Sequence, residues 1–107
     1  MYNMNTVTEN LSLDKILTKT TEYDIYCFYG NKNFQIGTIT NSPLRVDKNP
    51  SFGLFKSMGD NSLLFKDLST GDSGNCVKFV QLLLNVKYRK ALQTIWKDIS
   101  ENKLEEM

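Results

Sequence analysis

SPLRVDKNPSFGLFKSMGDNSLLFKDLSTGDSGNCVKFV, running from Ser42 to Val80, is the stretch on which the fold of this chain turns. Its first part crowds Pro43, Arg45, Asp47, Lys48, Asn49 and Pro50 into one short run. Each proline removes a backbone donor and holds the residue before it extended, so this run is a stiff polar loop and not a helix. Ser51 to Lys56 and Ser62 to Lys66 read as strands, joined by a turn at Met58, Gly59, Asp60 and Asn61. Gly71 and Gly74 then mark a turn, and a helix is predicted to start at Ser73 or Gly74. In that helix Cys76, Val77, Phe79, Val80, Leu83 and Leu84 make a broad apolar stripe.

Working outward, residues 1–10 read as a flexible tail with little to bury. Ser12 is placed to cap a short helix carrying Leu13, Ile16 and Leu17. Thr21 is placed to cap a second, with Glu22 and Asp24 at the positive end of its dipole and Gly30 at its close. Ile25, Phe28 and Tyr29 line one face of that helix. Tyr23, Tyr26, Phe28 and Tyr29 at helical spacing read as core in preference to exposed stacking surfaces. Asn31 to Asn33 is a turn, and Phe34, Ile36, Thr38 and Thr40 alternate as in a half-buried strand up to Asn41. Downstream, Asn85-Val86 is a short break, and Tyr88, Leu92, Ile95 and Ile99, with Trp96 beside them, define a last helix. The expected architecture is α+β: a small three-stranded antiparallel sheet flanked by two N-terminal and two C-terminal helices. One domain is expected over residues 11–100, followed by an acidic, frayed tail at 101–107.

A chain of 107 residues supports one modest core. Hydrophobic content of 40% and charged content of 23% are those of globular domains, which excludes disorder as the default for its body. No apolar run reaches the roughly 18 residues of a membrane span. The start MYNMNTVTEN is polar and is no signal peptide, so a cytoplasmic protein is expected. Net charge is only +1, but it is segregated. Residues 25–90 hold nine Lys and Arg against four acids, whereas residues 1–24 and 91–107 each hold two lysines against four acids. A basic middle between acidic flanks is consistent with a local phosphate-facing patch. The absence of histidine removes Ser-His-Asp triads, Cys-His dyads and His metal sites together. Cys27 and Cys76 lack CxxC spacing and read as free thiols, so no metal or cofactor is expected.

SPLRVDKNPSF followed by FKDLSTGDSGNCVKFV resembles the N-terminal zinc-ribbon domain of bacterial and phage DNA primases, over about residues 20–98. That family runs Cys-Pro-Phe-His, a Glu-Lys-Thr-Pro-Ser-Phe segment, a hairpin, and Cys-Phe-Gly-Cys-Gly leading to Gly-Asp and an apolar helix. Here Ser42-Pro43-Leu44-Arg45 stands in the first place and Asp47-Lys48-Asn49-Pro50-Ser51-Phe52 in the second. Asp67-Leu68-Ser69-Thr70-Gly71 stands in the third, with Gly74-Asn75 in the Gly-Asp place. The four metal-ligand positions have become Ser42, Arg45, Asp67 and Thr70, a set that cannot supply a tetrahedral zinc site. The chain therefore resembles a metal-free descendant of the ribbon, of the kind carried by some phage and mobile-element primases. An Arg45–Asp67 ion pair is a natural substitute for the metal; the competing expectation puts Arg45 on a phosphate.

The resemblance implies a non-catalytic domain that binds single-stranded template DNA during DNA replication, alongside a primase catalytic domain and helicase. The catalytic domain itself is not in these residues. Asp60, Asp67 and Asp72 read as turn and cap residues, so the chain by itself is not expected to be an enzyme. Candidate backbone contacts are Arg45, Lys48, Lys56, Lys66 and Lys78, with Asn49 and Ser51 as neutral donors. Phe52, Phe55 and Phe65 lie on the hairpin strands, and at least one is a candidate for base stacking. The turn Gly71-Asp72-Ser73-Gly74 is a candidate for pointing N–H groups at a phosphate. The alternative is a protein-binding module that reuses this fold, as a replisome accessory or an inhibitor of a host nucleic-acid enzyme. A piece of a longer primase is a third reading.

Overall fold

The computed structural model describes residues 11–46 and 49–106. The tail at 1–10, and Asp47 and Lys48 of the proline loop, lie outside the described residues. The elements are α1 (Leu13–Ile16), α2 (Glu22–Tyr29), β1 (Phe52–Lys56), β2 (Leu63–Asp67), β3 (Ser73–Gly74), α3 (Cys76–Leu84), α4 (Tyr88–Ser100) and a closing 3-10 turn (Leu104–Glu106). The strands form one antiparallel sheet in the order β1-β2-β3. The class is α+β.

The helix starts follow from their caps. Ser12 Oγ accepts from the Lys15 N–H at 3.2 Å, Thr21 Oγ1 from Asp24 at 3.1 Å, and Asn75 Oδ1 from Lys78 at 3.0 Å. Helix α2 stops at Gly30, and α3 stops at Asn85, which turns into the left-handed region at φ 56°. The α3 start is a correction: Ser73 and Gly74 are not helical but form β3, and the helix begins after the Asn75 cap.

A second correction concerns Phe34 to Asn41. This segment was expected as a strand, yet it makes a single antiparallel bridge, Thr40 to Phe52. Its alternation is not realised as two faces, because Phe34 is buried whereas Ile36 and Ile39 are both exposed. Gly37, at φ 85°, turns the chain, so only the Gly37 N–H to Leu54 and the Thr40 contacts reach the β1 edge. The third strand of the sheet is thus Ser73–Gly74, paired with β2, and not the Phe34 to Asn41 segment.

Period-two alternation sends Phe52 and Leu54 of β1, and Leu63, Phe65 and Asp67 of β2, to the inner face, where all are buried. There Phe79 of α3 lies 5.5 Å from Phe52 and 5.9 Å from Phe65, ring centre to ring centre, and Tyr26 of α2 lies 5.2 Å away. Beyond α3, α4 buries Ala91, Leu92 and Ile95 against α3 and α1. Helix α2 also finishes the sheet. Glu22 accepts the Leu63 N–H at 3.2 Å and the Tyr26 hydroxyl donates to the Leu63 carbonyl at 3.0 Å, satisfying a backbone that β3 is too short to pair. The acidic end of the chain does not simply fray, since Leu104 is buried and the 3-10 turn packs on α2 and α4. No helix among the described residues is long and apolar enough to cross a membrane.

Candidate nucleic-acid interface

Asp67 closes β2 on the core side of the sheet, and a carboxylate there requires partners. Arg45 supplies them from the proline loop: its Nη1 donates to Oδ2 at 2.6 Å and its Nη2 to Oδ1 at 2.7 Å, a two-pronged contact on a side chain with no exposed surface. The turn after β2 adds the Ser69 and Thr70 N–H groups, at 2.9 and 3.2 Å from Oδ1. The Arg45 guanidinium holds the Asp67 carboxyl below the usual carboxylate range against the opposing effect of burial, with the two N–H groups assisting. Two loops far apart in the chain are thereby fastened through one carboxylate. Arg45 Nη2 also donates to Ser51 Oγ at 3.3 Å, so both terminal nitrogens of the guanidinium have protein partners.

This fastening corrects several expectations. Ser51 is buried beside Arg45 and is not a surface donor. Thr70 Oγ1 donates to Asp72 Oδ2 at 3.0 Å and accepts from the Asp72 N–H at 3.1 Å. The Gly71 N–H goes to the Asp67 carbonyl at 2.8 Å. The turn expected to present N–H groups to a phosphate therefore spends these two on itself, and it leads into a strand instead of a helix. Ser42 is buried, with its Oγ accepting from the Leu44 N–H at 3.0 Å. Among the described residues no three His, Cys, Asp or Glu side chains are grouped as a metal site requires.

Of the three strand phenylalanines, Phe52 and Phe65 are core, at 0% and 1% exposure, and neither can stack on a base. Phe55 alone points to the outer face. There Ile39, Phe55, Leu64 and Leu68 form the apolar floor of a groove of about 460 Å³, with Lys56, Lys66 and Ser73 on its lining. The cross-strand register explains the arrangement, because Phe55 faces Leu64 and Gly53 faces Lys66. A Cβ on Gly53 would sit 2.8 Å from the Phe55 ring and 3.0 Å from Ile39 Cδ1. The missing side chain is what lets both residues lie over the strand. Sequence reasoning missed Ile39, Leu64 and Leu68, although the outward positions of a correctly registered β2 point to Leu64.

Lys56 and Lys66 are exposed at this groove, and Lys78 is exposed on the first turn of α3. Asn49 is exposed in the proline loop, and Lys48 lies outside the described residues. Both cysteines are buried and free, and burial, with the nearby Glu22 carboxylate, pushes the Cys76 thiol up to about 12. Both thiols are expected to resist a disulfide-exchange reagent such as DTNB in the native protein and to react fully in guanidinium. Rapid native labelling of either would contradict the packing described. Comparison of the chain with protein-family models, with curated proteins and with solved structures finds no match.

Proposed function

We propose that this chain is a metal-free, primase-type ribbon domain that contacts single-stranded DNA, without chemistry of its own, in the replication of a phage or mobile element. The observation that carries the reading is the outer sheet face, where Phe55 lies over Gly53 in an apolar groove flanked by Lys56 and Lys66. An aromatic ring beside cations on a sheet suits a strand whose bases are unpaired, because every base has a face to stack and every nucleotide a phosphate. The Arg45–Asp67 pair supports the resemblance to the ribbon. It joins the two motif loops at positions where two metal ligands stand in that family.

Fluorescence anisotropy with labelled single-stranded DNA at two salt concentrations tests the reading. Phe55→Ala is expected to weaken binding by roughly 1–3 kcal/mol, about 5- to 150-fold, if one base stacks there. Lys66→Ala is expected to weaken it less and to make it less salt-dependent. Lys48→Ala probes the proline loop in the same titration. The same groove is apolar enough to take a side chain of a replication partner. Wild-type protein that binds no DNA at low salt would reject the DNA reading and favour that protein-binding alternative.

A further inference from the structure

Between Asp72 and Asp98 the chain has no acidic residue, yet it carries Lys78, Lys87, Arg89, Lys90 and Lys97. All five are exposed, and none enters an ion pair among the described residues. Four of them belong to α4 or to its N-cap, Lys87. Lys90 and Lys97 are seven residues apart, two helical turns, and so share a face. Arg89, Gln93 and Lys97 follow one another at four-residue spacing beside it. The first turn of α4 holds cations where the helix dipole disfavours them, with no acid among them and no side-chain cap. The charges of Lys87, Arg89 and Lys90 therefore do not serve the stability of the helix, whereas Lys97 stands in the last turn, where the dipole favours it.

Helix α4 packs on α3 and α1, behind the layer that covers the sheet. Its basic stripe is therefore a surface separate from the Phe55 groove. We propose that the stripe of Arg89, Lys90 and Lys97, with Lys87 at its start, is a second contact for the phosphate backbone of a nucleic acid. The proposal rests on the nucleic-acid reading above and adds a surface that the groove does not include. A row of cations with no acid between them matches a partner with a regularly repeated negative charge. The only large hydrophobic group exposed on α4 is Tyr88, whose ring suits a base, and the stripe lacks the buried apolar anchors on which protein interfaces depend.

The test is binding of a labelled thymidine oligomer of about sixteen nucleotides by the whole chain across a salt series. In the variant carrying Arg89→Ala, Lys90→Ala and Lys97→Ala, alanine suits exposed helix positions, so the fold is retained. Its dissociation constant is expected to rise about tenfold, and its plot of log affinity against log salt to become shallower by about 2. Phe55→Ala should weaken binding with the slope unchanged. An unchanged slope in the triple variant overturns this proposal and leaves the groove reading standing. Loss of binding in the triple variant with Phe55→Ala inert keeps this surface and removes the groove. No binding by the wild type at low salt overturns both. Displacement by poly-glutamate as effective as by unlabelled oligomer also overturns the proposal, in favour of an acidic protein partner.

Discussion

An Arg45→Ala variant is expected to lose about 3 kcal/mol of stability, the lower end of the cost of breaking a buried ion pair from one side. The lower end applies because Arg45 itself is partly exposed, with 29% of its side-chain surface accessible, and because Asp67 keeps the Ser69 and Thr70 N–H groups. What remains is a carboxylate with no solvent access and no cation. For a domain of this size the loss corresponds to a fall in melting temperature on the order of 10–20 °C. Asp67→Asn is expected to cost less, because the abandoned group is then a guanidinium that reaches water. Arg45→Lys should recover only part of the loss, since an ammonium cannot span both carboxylate oxygens. Equal melting temperatures for wild type and Arg45→Ala would refute the fastening role.

The same pair carries a pH dependence of definite sign. The folded-state pKa of Asp67 lies below its unfolded value, so the unfolded chain takes up the proton first as pH falls. The stabilisation is present in full above the ordinary aspartate value of about 3.9 and is lost as pH drops through the folded value. Wild-type thermal stability should therefore fall steeply below about pH 4, and Arg45→Ala should show a flatter profile there. Parallel profiles would count against the assignment.

Phe52→Ala is expected to cost about 3–5 kcal/mol, a large share of the roughly 5–15 kcal/mol that keeps a domain folded. Phe52 has no exposed surface and lies between Phe34 at 5.6 Å and Phe65 at 5.7 Å, with Phe79 below at 5.5 Å. Its removal opens a cavity where the sheet, α3 and the loop after α2 meet, and aromatic neighbours on three sides collapse poorly into such a space. Phe52→Leu keeps much of the volume and should cost far less. Urea unfolding of the three proteins checks this. A Phe52→Ala midpoint within error of wild type would mean that the inner face is packed otherwise. The contrast with Phe55 is sharp: three residues along the same strand, alanine is expected to change DNA binding and to leave the fold intact.

The Ser12 and Thr21 caps, the end of α2 at Gly30, the break at Asn85 and the β1–β2 hairpin were legible because each is local. A hydroxyl, a glycine or a left-handed asparagine acts on backbone within a turn of itself. The Phe34 to Asn41 segment misled for the opposite reason. Alternation signals a strand only where a partner edge accepts a continuous ladder, and the Gly37 turn breaks the ladder after isolated contacts. Ser73–Gly74 is too short for any pattern and is a strand only because β2 lies beside it.

By itself the sequence determined the class of the fold, the placement of its helices, and the pairing of Arg45 with Asp67 as one of two alternatives. The first two follow from residue type and spacing; the pair came only through the resemblance, which sets Arg45 and Asp67 where two metal ligands would meet. Tertiary structure alone decided that Phe52 and Phe65 face the core while Phe55 faces out, and that Ile39 and Leu68 wall the groove. It also decided that the Arg45 terminal nitrogens are engaged within the protein. The reason is register. A shift of one residue in the pairing of β1 with β2 exchanges the two faces, and which face is the inner one is settled by packing against Phe79 of α3, outside the hairpin.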